Sequence, residues 1–344
     1  MSLSKPIGIF DSGLGGLTVA RAIASRLPDE SIYYVGDTKR CPYGTRPQAE
    51  VRLFVRQVGH WLERHDVKLV VIACNTATAA GLDVIQRTLS VPVIGVIEPG
   101  ARAAIQATRS RRVGVLATQG TVDSGAYERA IHNLDAGVHV TQAPAGSFVD
   151  LVERELASGT YLHDDWMENP EVFDTAEVRE LAQRNVAPLM GHGVDTVVLG
   201  CTHFPLLARE ISAALGPGVR TVSSAEETAR EVAEILERRG ELAGPDTADL
   251  GAGGEPKYRF ATTSDDITSF AVAGKFIFGH PLDSIEHIEL ETLEALAGRS
   301  GERRARRFKV VRAQARLREG KLPCTRRTSA VPRAARTTRC APSS

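Results

Sequence analysis

Two cysteines offer the sharpest chemistry in this sequence. Cys74 begins the run Cys-Asn-Thr, and Cys201 begins the run Cys-Thr-His. A thiol beside a histidine or at a helix N-terminus has a pKa below the ordinary value of about 8.5, and the thiolate is a base, a nucleophile and a metal ligand. A single cysteine is more often an inert apolar side chain. The argument for chemistry therefore depends on finding two of them in matching contexts.

The two contexts match because a segment of the chain recurs. Residues 65–74 (HDVKLVVIAC) align with residues 192–201 (HGVDTVVLGC), with five identical positions at a constant offset of 127 residues. A weaker echo sets residues 7–12 (IGIFDS) against residues 113–118 (VGVLAT). Similar parallel strands would explain the shared valines but not a cysteine at the end of both segments. The pattern favours a duplicated α/β half.

Polar groups follow other apolar runs as well. The glycine-rich run Asp11–Gly16 (DSGLGG) comes directly before a helical pattern, and a helix N-terminus can bind an anion. It is neither G-x-G-x-x-G nor a P-loop with its lysine, and an ordinary turn with an Asp or Ser cap would explain it equally well. His203 could orient or protonate Cys201. Cys74, Cys201 and His203 lack the close ligand pairs of a structural zinc site.

Short apolar runs alternate with stretches of helical periodicity along residues 1–298, and this pattern predicts the elements that position the polar groups. The runs lie at residues 7–10, 32–35, 69–73, 93–96, 113–117, 197–200 and 258–262. Strands without polar alternation, separated by helices, are typical of parallel strands covered on both faces. We therefore predict an α/β fold with doubly wound parallel sheets. Ligands bind beyond the carboxyl ends of such strands, where Asp11, Cys74 and Cys201 stand.

Composition limits the classes of protein. A chain of 344 residues with 42% hydrophobic and 24% charged residues is typical of a soluble globular protein of about two domains. No apolar run approaches the roughly 20 residues that span a bilayer, and no apolar secretory segment follows Met1. Five cysteines without close pairs do not form a disulfide framework. We expect a reduced, cytoplasmic protein without a membrane partner.

The net charge of zero hides a strong asymmetry. Residues 299–344 contain 15 Lys and Arg against 2 Asp and Glu, whereas residues 1–298 contain 27 basic and 40 acidic residues. The acidic body argues against nucleic acid as a partner, apart from non-specific contacts of the basic tail. Because the tail has few apolar side chains to offset the entropy of ordering, we expect residues 299–344 to be disordered.

These segments resemble the cofactor-independent aspartate/glutamate racemases, and among them the glutamate racemases. The resemblance covers about residues 6–290. The runs that carry it are Gly8–Gly16, Gly36–Asp37, Pro42–Gly44, Ala73–Ala77 and Gly200–Pro205. It implies two pseudo-symmetric doubly wound parallel-sheet domains with the active site in the cleft between them. We expect one discontinuous domain of residues 1–98 and 206–295, carrying Cys74, and a second of residues 99–205, carrying Cys201.

The resemblance also implies a role for each motif. Cys74 and Cys201 would be the two acid/base residues, assisted by Asp11 and His203 respectively, and Glu153 would be the family's glutamate on the second domain. The substrate-binding residues would be Asp11, Ser12, Tyr43, Gly44, Asn75, Thr76, Thr118, Thr202 and His203. The implied reaction interconverts L- and D-glutamate in a bacterial homodimer and supplies D-glutamate for peptidoglycan, and so for the cell wall and cell shape. No metal or cofactor is implied.

The chemistry agrees with the residues. Racemisation removes the Cα proton from one face and delivers a proton to the other, which requires an acid and a base on opposite sides. A pyridoxal enzyme would need a Schiff-base lysine, and none of the five lysines in residues 1–298 lies in these motifs. Two alternatives remain open at this point: a racemase of aspartate or another acidic amino acid, and a two-lobe ligand-binding protein without turnover. A nucleic-acid binder acting through the tail is a third.

The basic tail gives the first testable prediction. A chain truncated after Gly298 should fold and racemise glutamate like the full-length chain, because the tail lies outside the resemblance and can bury little apolar surface. Circular dichroism spectra and turnover of the two chains provide the comparison. Unfolding or inactivation of the truncated chain would contradict the prediction.

Overall fold

Ten parallel strands form two sheets in this computed structural model, which describes residues 3–158, 173–244 and 257–296. The first sheet contains β1 (Ile7–Asp11), β2 (Ile32–Gly36), β3 (Leu69–Ile72), β4 (Val93–Gly95), β9 (Tyr258–Thr262) and β10 (Ile285–His287). The second contains β5 (Arg112–Ala117), β6 (His139–Pro144), β7 (Thr196–Gly200) and β8 (Arg220–Ser223). All of the strand pairs are parallel. The predicted α/β class with parallel sheets is confirmed.

Helices connect the strands. They are α1 (Leu17–Arg26), α2 (Gln48–Arg64), α3 (Asn75–Gln86), α4 (Ile97–Ala107), α5 (Gln119–Asp123), α6 (Ala126–Leu134), α7 (Ser147–Ser158), α8 (Ala176–Val186), α9 (Ala208–Leu215), α10 (Ser224–Arg239) and α11 (Ile267–Phe278). Helix α2 buries an apolar face that includes Val51, Val55, Val58 and Leu62. In the described ranges, no helix is long and apolar enough to cross a membrane.

The strand order shows that the sequence repeat is a structural repeat. The first sheet has the order β10-β9-β2-β1-β3-β4, and the second has the order β6-β5-β7-β8. The run β2-β1-β3-β4 thus matches β6-β5-β7-β8 strand for strand. Cys74 and Cys201 follow β3 and β7, which occupy the same place in the two sheets. Because parallel strands end at the same edge, Asp11 at the end of β1 neighbours the segment that carries Cys74.

Three strands are absent from the sequence-based prediction, and their exposure explains why. Every residue of β1, β2, β3 and β7 is buried, so these strands are continuous apolar runs. Strands β6, β8 and β10 are partly exposed and carry polar side chains. All three lie at sheet edges, whereas the fourth edge strand in the described residues, β4, is buried and apolar. An edge strand with solvent on one side has no apolar run to reveal it.

The second sheet extends further along the chain than we expected. We assigned residues 206–295 to the first domain, but β8 pairs with β7 in the second sheet. The chain rejoins the first sheet only at β9, which pairs with β2. The described residues all belong to one compact unit. The predicted disordered tail, residues 299–344, and most of the glycine-rich stretch 241–256 lie outside the described residues.

A buried ion pair fixes the edge of the first sheet opposite to the cysteines. The Lys68 ammonium, just before β3, lies 2.5 Å from a Glu30 carboxylate oxygen, and the side chains are 3% and 2% exposed. Lys68 also donates to the carbonyls of Glu241, at 2.8 Å, and Leu3, at 3.1 Å. Glu30 accepts from the Ala243 backbone N–H at 2.8 Å. The pair thus ties together four separate stretches of chain, around Leu3, Glu30, Lys68 and residues 241–243.

Loss of one partner from this pair should destabilise the fold. Lys68→Met should lower the free energy of unfolding by about 3 kcal/mol, because it leaves the Glu30 carboxylate buried without its counter-charge. The double variant Lys68→Met/Glu30→Gln should recover part of that loss, since no charge is then left alone. Urea unfolding measures both values. A double variant less stable than the single variant would contradict this account.

Candidate active site

Cys74 stands at the junction of β3 and α3. Its Sγ caps the helix by accepting from the Ala77 backbone N–H at 3.4 Å, and its thiol donates to the Ser12 hydroxyl oxygen at 3.8 Å. The side chain is buried. This position arises because the apolar strand ends where the helix begins, so that the first side chain after the strand meets unpaired helix N–H groups.

The Asp-Ser-Gly turn after β1 places a carboxylate beside this thiol. One oxygen of Asp11 accepts from the backbone N–H groups of Gly16, at 2.9 Å, and Gly13, at 3.3 Å. The other, Oδ1, is buried and has no hydrogen-bond partner among the described residues. The Tyr34 hydroxyl donates to the Gly13 carbonyl at 2.7 Å and so holds the turn from below. A buried acceptor without a donor is costly, so Asp11 Oδ1 fits a site that receives a donor from a ligand.

The surroundings of Cys74 favour its neutral form. Burial raises the pKa of the Cys74 thiol most, the charge of Asp11 raises it further, and the N–H of Ala77 opposes both to a smaller extent. A negative charge on Cys201 raises the Cys74 pKa as well. These surroundings therefore keep Cys74 as a thiol that can give a proton.

Cys201 has the opposite environment. Its Sγ lies 3.7 Å from His203 Nδ1, and His203 Nε2 lies 2.6 Å from Glu153 Oε1. Burial lowers the pKa of His203, but the hydrogen bonds and charges of Cys201 and Glu153 outweigh burial and raise that pKa well above its ordinary value. A protonated imidazole next to Cys201 stabilises a thiolate there. Glu153 lies on α7, which begins at Ser147.

A group of threonine hydroxyls joins the two halves near these thiols. Thr76 Oγ1, at the start of α3, lies 2.9 Å from Thr118 Oγ1 and 3.3 Å from Thr121 Oγ1. Thr118 and Thr121 follow β5 and lie 3.1 Å apart. Asn75 accepts from the Tyr127 hydroxyl at 2.7 Å, which leaves its amide N–H groups to other acceptors. Thr121 and Tyr127 were not among the predicted site residues.

Tyr43 and Gly44 lie nearby but differ in what they offer. The Tyr43 hydroxyl donates to Asp37, a buried carboxylate that also accepts from Arg40 at 2.7 Å and from Thr263 at 3.0 Å. Tyr43 is thus part of the framework, and its hydroxyl is already engaged. The Gly44 carbonyl accepts from the Gly120 N–H at 3.0 Å and joins the two halves.

The structure therefore brings the predicted residues together in two candidate acid/base groups. Cys74, Asp11 and Ser12 form one group, and Cys201, His203 and Glu153 form the other. Thr202 is buried, and its carbonyl accepts from the Thr18 hydroxyl at 3.4 Å. Sequence reasoning missed Cys41 and Tyr34. Tyr34 lies inside an apolar strand run and looks like any core residue, so nothing in the sequence could single it out.

Gly15 is required where the turn after β1 meets the Cys-Thr-His segment. A Cβ at this position would lie 2.5 Å from Thr202 Oγ1 and 2.7 Å from His203 Nδ1. Both distances are shorter than carbon atoms tolerate, so only glycine allows the Cys-Thr-His segment to lie against the turn that carries Asp11.

This contact makes Gly15→Ala a test of the site geometry. The new methyl group should displace Thr202 and His203 and reduce turnover of glutamate by about a hundredfold, the size of effect expected when a reacting group moves by about 1 Å. Gly218→Ala is the matched control, because nothing lies within 4 Å of a Cβ there. Normal turnover in Gly15→Ala would show that this approach does not shape the site.

Known proteins resemble this chain in sequence. Residues 17–232 match the family model for Asp/Glu/hydantoin racemases. The chain is 45% identical over 261 residues to the glutamate racemase of Lysinibacillus sphaericus strain C3-41, covering 76% of this chain and 90% of that protein.

Solved structures give the same result for the fold. Glutamate racemase isoform RacE1 of Bacillus anthracis superposes with a TM-score of 0.72 at 40% identity, over 84% of this chain and 99% of that one. The glutamate racemase of Francisella tularensis, solved in complex with D-glutamate, gives a TM-score of 0.72 at 28% identity, over 85% and 100% of the two chains. The chain therefore belongs to the Asp/Glu/hydantoin racemase family.

Proposed function

We propose that this chain interconverts L- and D-glutamate without a cofactor, with Cys74 and Cys201 as the two acid/base residues. One observation carries the proposal. Two cysteines occupy equivalent strand ends in the two halves of a duplicated fold, one in surroundings that favour a thiol and the other beside an imidazolium. The glutamate racemases among the relatives support the choice of substrate.

The mechanism begins with the thiolate of Cys201. It removes the Cα proton of L-glutamate, and the Cys74 thiol delivers its own proton to the opposite face of Cα. The product is D-glutamate, and Cys74 is left as the thiolate and Cys201 as the thiol. In the reverse direction, Cys74 removes the proton and Cys201 delivers one. This assignment of faces follows the family resemblance.

The other residues of the site bind the charged groups of the substrate and stabilise the carbanion. The unpartnered oxygen of Asp11 is placed to accept from the α-ammonium group, since it is a buried acceptor without a protein donor. The amide of Asn75 and the hydroxyls of Thr76 and Thr118 stand at the start of α3 and the end of β5. Fixed donors of this kind stabilise negative charge that develops on the substrate carboxylate.

Thermodynamics limits how far the difference between the two thiols can affect the kinetic constants of the two directions. Two enantiomers have equal free energy in water, so the equilibrium constant is unity and kcat/KM must be the same in both directions. The different protonation of Cys74 and Cys201 can therefore make kcat and KM differ between the two directions. The value of kcat/KM stays the same in both. Only an irreversible partial reaction reports on one thiol at a time.

We also propose the setting that the resemblance implies. The enzyme would act in the cytoplasm as a homodimer and supply D-glutamate for peptidoglycan. The unpaired state of Cys41, Cys74 and Cys201 supports a reducing compartment.

Circular dichroism tests the function directly. Purified protein without added cofactor should abolish the signal of L-glutamate and leave those of L-aspartate and L-glutamine unchanged. Cys74→Ser and Cys201→Ser should each reduce racemisation below detection with the fold intact, because a serine hydroxyl is too weak an acid to exchange a proton with Cα. Loss of the L-aspartate signal alone would establish an aspartate racemase. Near wild-type turnover in either variant would contradict the two-thiol mechanism.

An elimination reaction can separate the two thiols. In 3-chloroglutamate, loss of the Cα proton forms a Cα–Cβ double bond as chloride leaves, and water hydrolyses the resulting enamine to 2-oxoglutarate and ammonium. This reaction needs only the abstracting base. Cys74→Ser should therefore still release 2-oxoglutarate from the L-isomer, and Cys201→Ser from the D-isomer. The reverse pattern would exchange the assigned faces, and loss of both reactions in both variants would refute the assignment of the bases.

A further inference from the structure

Cys41 lies between the two acid/base groups, although the mechanism gives it no task. Its thiol donates to Glu153 Oε1 at 4.0 Å, a long contact for a sulfur donor. It also shares a hydrogen bond with Ser12, whose hydroxyl accepts from the Cys74 thiol. One side chain therefore touches the partner of His203 and the partner of Cys74.

The glycine turn shapes the place where Cys41 and Glu153 meet. A Cβ on Gly13 would lie 3.1 Å from Cys41 Sγ and 3.4 Å from Glu153 Oε1. Thus the thiol and the carboxylate rest side by side against the same backbone. The Glu153 side chain is 34% exposed, whereas that of His203 is 3% exposed. Water can therefore compete with His203 for this carboxylate, and Cys41 occupies one of the sides from which water would approach.

The charges around Cys41 keep it in its neutral, donating form. Burial raises the pKa of the Cys41 thiol most, and the charges of Glu153, Asp11 and Cys74 raise it further. A neutral thiol can donate to a carboxylate, whereas a thiolate would repel it. Burial raises the pKa of Tyr34, which lies beneath the turn, and the charges of the same groups raise it further. On the other side, His203 faces Cys201 and Glu153.

We propose that Cys41 is a positioning residue that holds Glu153 against His203 and thereby favours the thiolate form of Cys201. Cys41 does not touch the reacting atoms; it acts through Glu153. The proposal rests on the proposed function for its catalytic consequence, but its structural part concerns only Cys41, Glu153 and His203.

The first test needs no catalysis. NMR of protein labelled with nitrogen-15 in its histidines follows the titration of His203, assigned by comparison with His203→Asn. In Cys41→Ala, Glu153 loses a donor and can turn to water, so His203 should lose its proton at a lower pH than in wild type. Cys41→Ser keeps a donor and should titrate close to wild type. An unchanged His203 titration in Cys41→Ala would overturn the proposal, whether or not the chain proves to be a racemase.

The second test measures the consequence for each thiol. Cys74→Ser first identifies which isomer of 3-chloroglutamate uses Cys201 as its base. For that isomer, Cys41→Ala should lower kcat/KM for elimination by about three- to tenfold, the range for loss of one ordinary hydrogen bond. The high-pH limb of its pH profile should also move to lower pH. The other isomer should change less than about twofold, and Cys41→Ser should restore the first.

The outcomes of the two tests are distinct. An equal loss for both isomers, with an unchanged pH profile, would indicate a merely structural role and would overturn the proposal. Failure of wild-type protein to racemise glutamate would overturn the proposed function instead, and the NMR titration would still decide the role of Cys41.

Discussion

The proposed mechanism requires the thiols of Cys74 and Cys201 to differ in protonation when substrate binds. Two thiolates would lack an acid, and two thiols would lack a base. The two halves resolve this by surrounding similar cysteines with different neighbours. Burial and the charge of Asp11 raise the pKa of the Cys74 thiol, whereas Cys201 lies beside His203, whose pKa rises despite burial through its hydrogen bonds to Cys201 and Glu153. Each of these neighbours is itself held by a specific contact, so much of the local structure serves this one difference.

The duplicated fold supplies the symmetry, and the loops break it. Strands β3 and β7 hold corresponding places in their sheets and deliver a cysteine at the same point. The segments that follow diverge: Cys74 begins a long helix and caps it, whereas Cys201 leads into a short 3-10 turn that includes Phe204–Leu207. The helix cap only partly offsets the burial and the charge of Asp11 that keep Cys74 neutral, whereas Cys201 lies beside the imidazole of His203.

Much of the fold could be predicted from the sequence, because central parallel strands are continuous apolar runs. The edge strands β6, β8 and β10 could not, since polar and half-exposed residues carry no such pattern. In the site, the paired cysteines could be found from their repeated context, and the resemblance added Asp11, His203 and Glu153. The contact between Cys41 and Glu153 joins residues 112 positions apart. A single sequence contains no signal for such a pair, and the same holds for the hydrogen bond from Tyr34 to Gly13.

The network around Asp37 has a consequence for the order in which the protein matures on the ribosome. Asp37 and Lys39 lie early in the chain, yet both are bonded to the Thr263 hydroxyl, at 3.0 Å and 2.9 Å. Strand β9, which ends just before Thr263, also pairs with β2. Domains fold as their segments emerge during synthesis, and here the loop that carries Cys41 and Tyr43 must wait for more than 200 residues. A nascent chain that already contains Cys74 and Cys201 therefore still lacks the contacts that hold this loop.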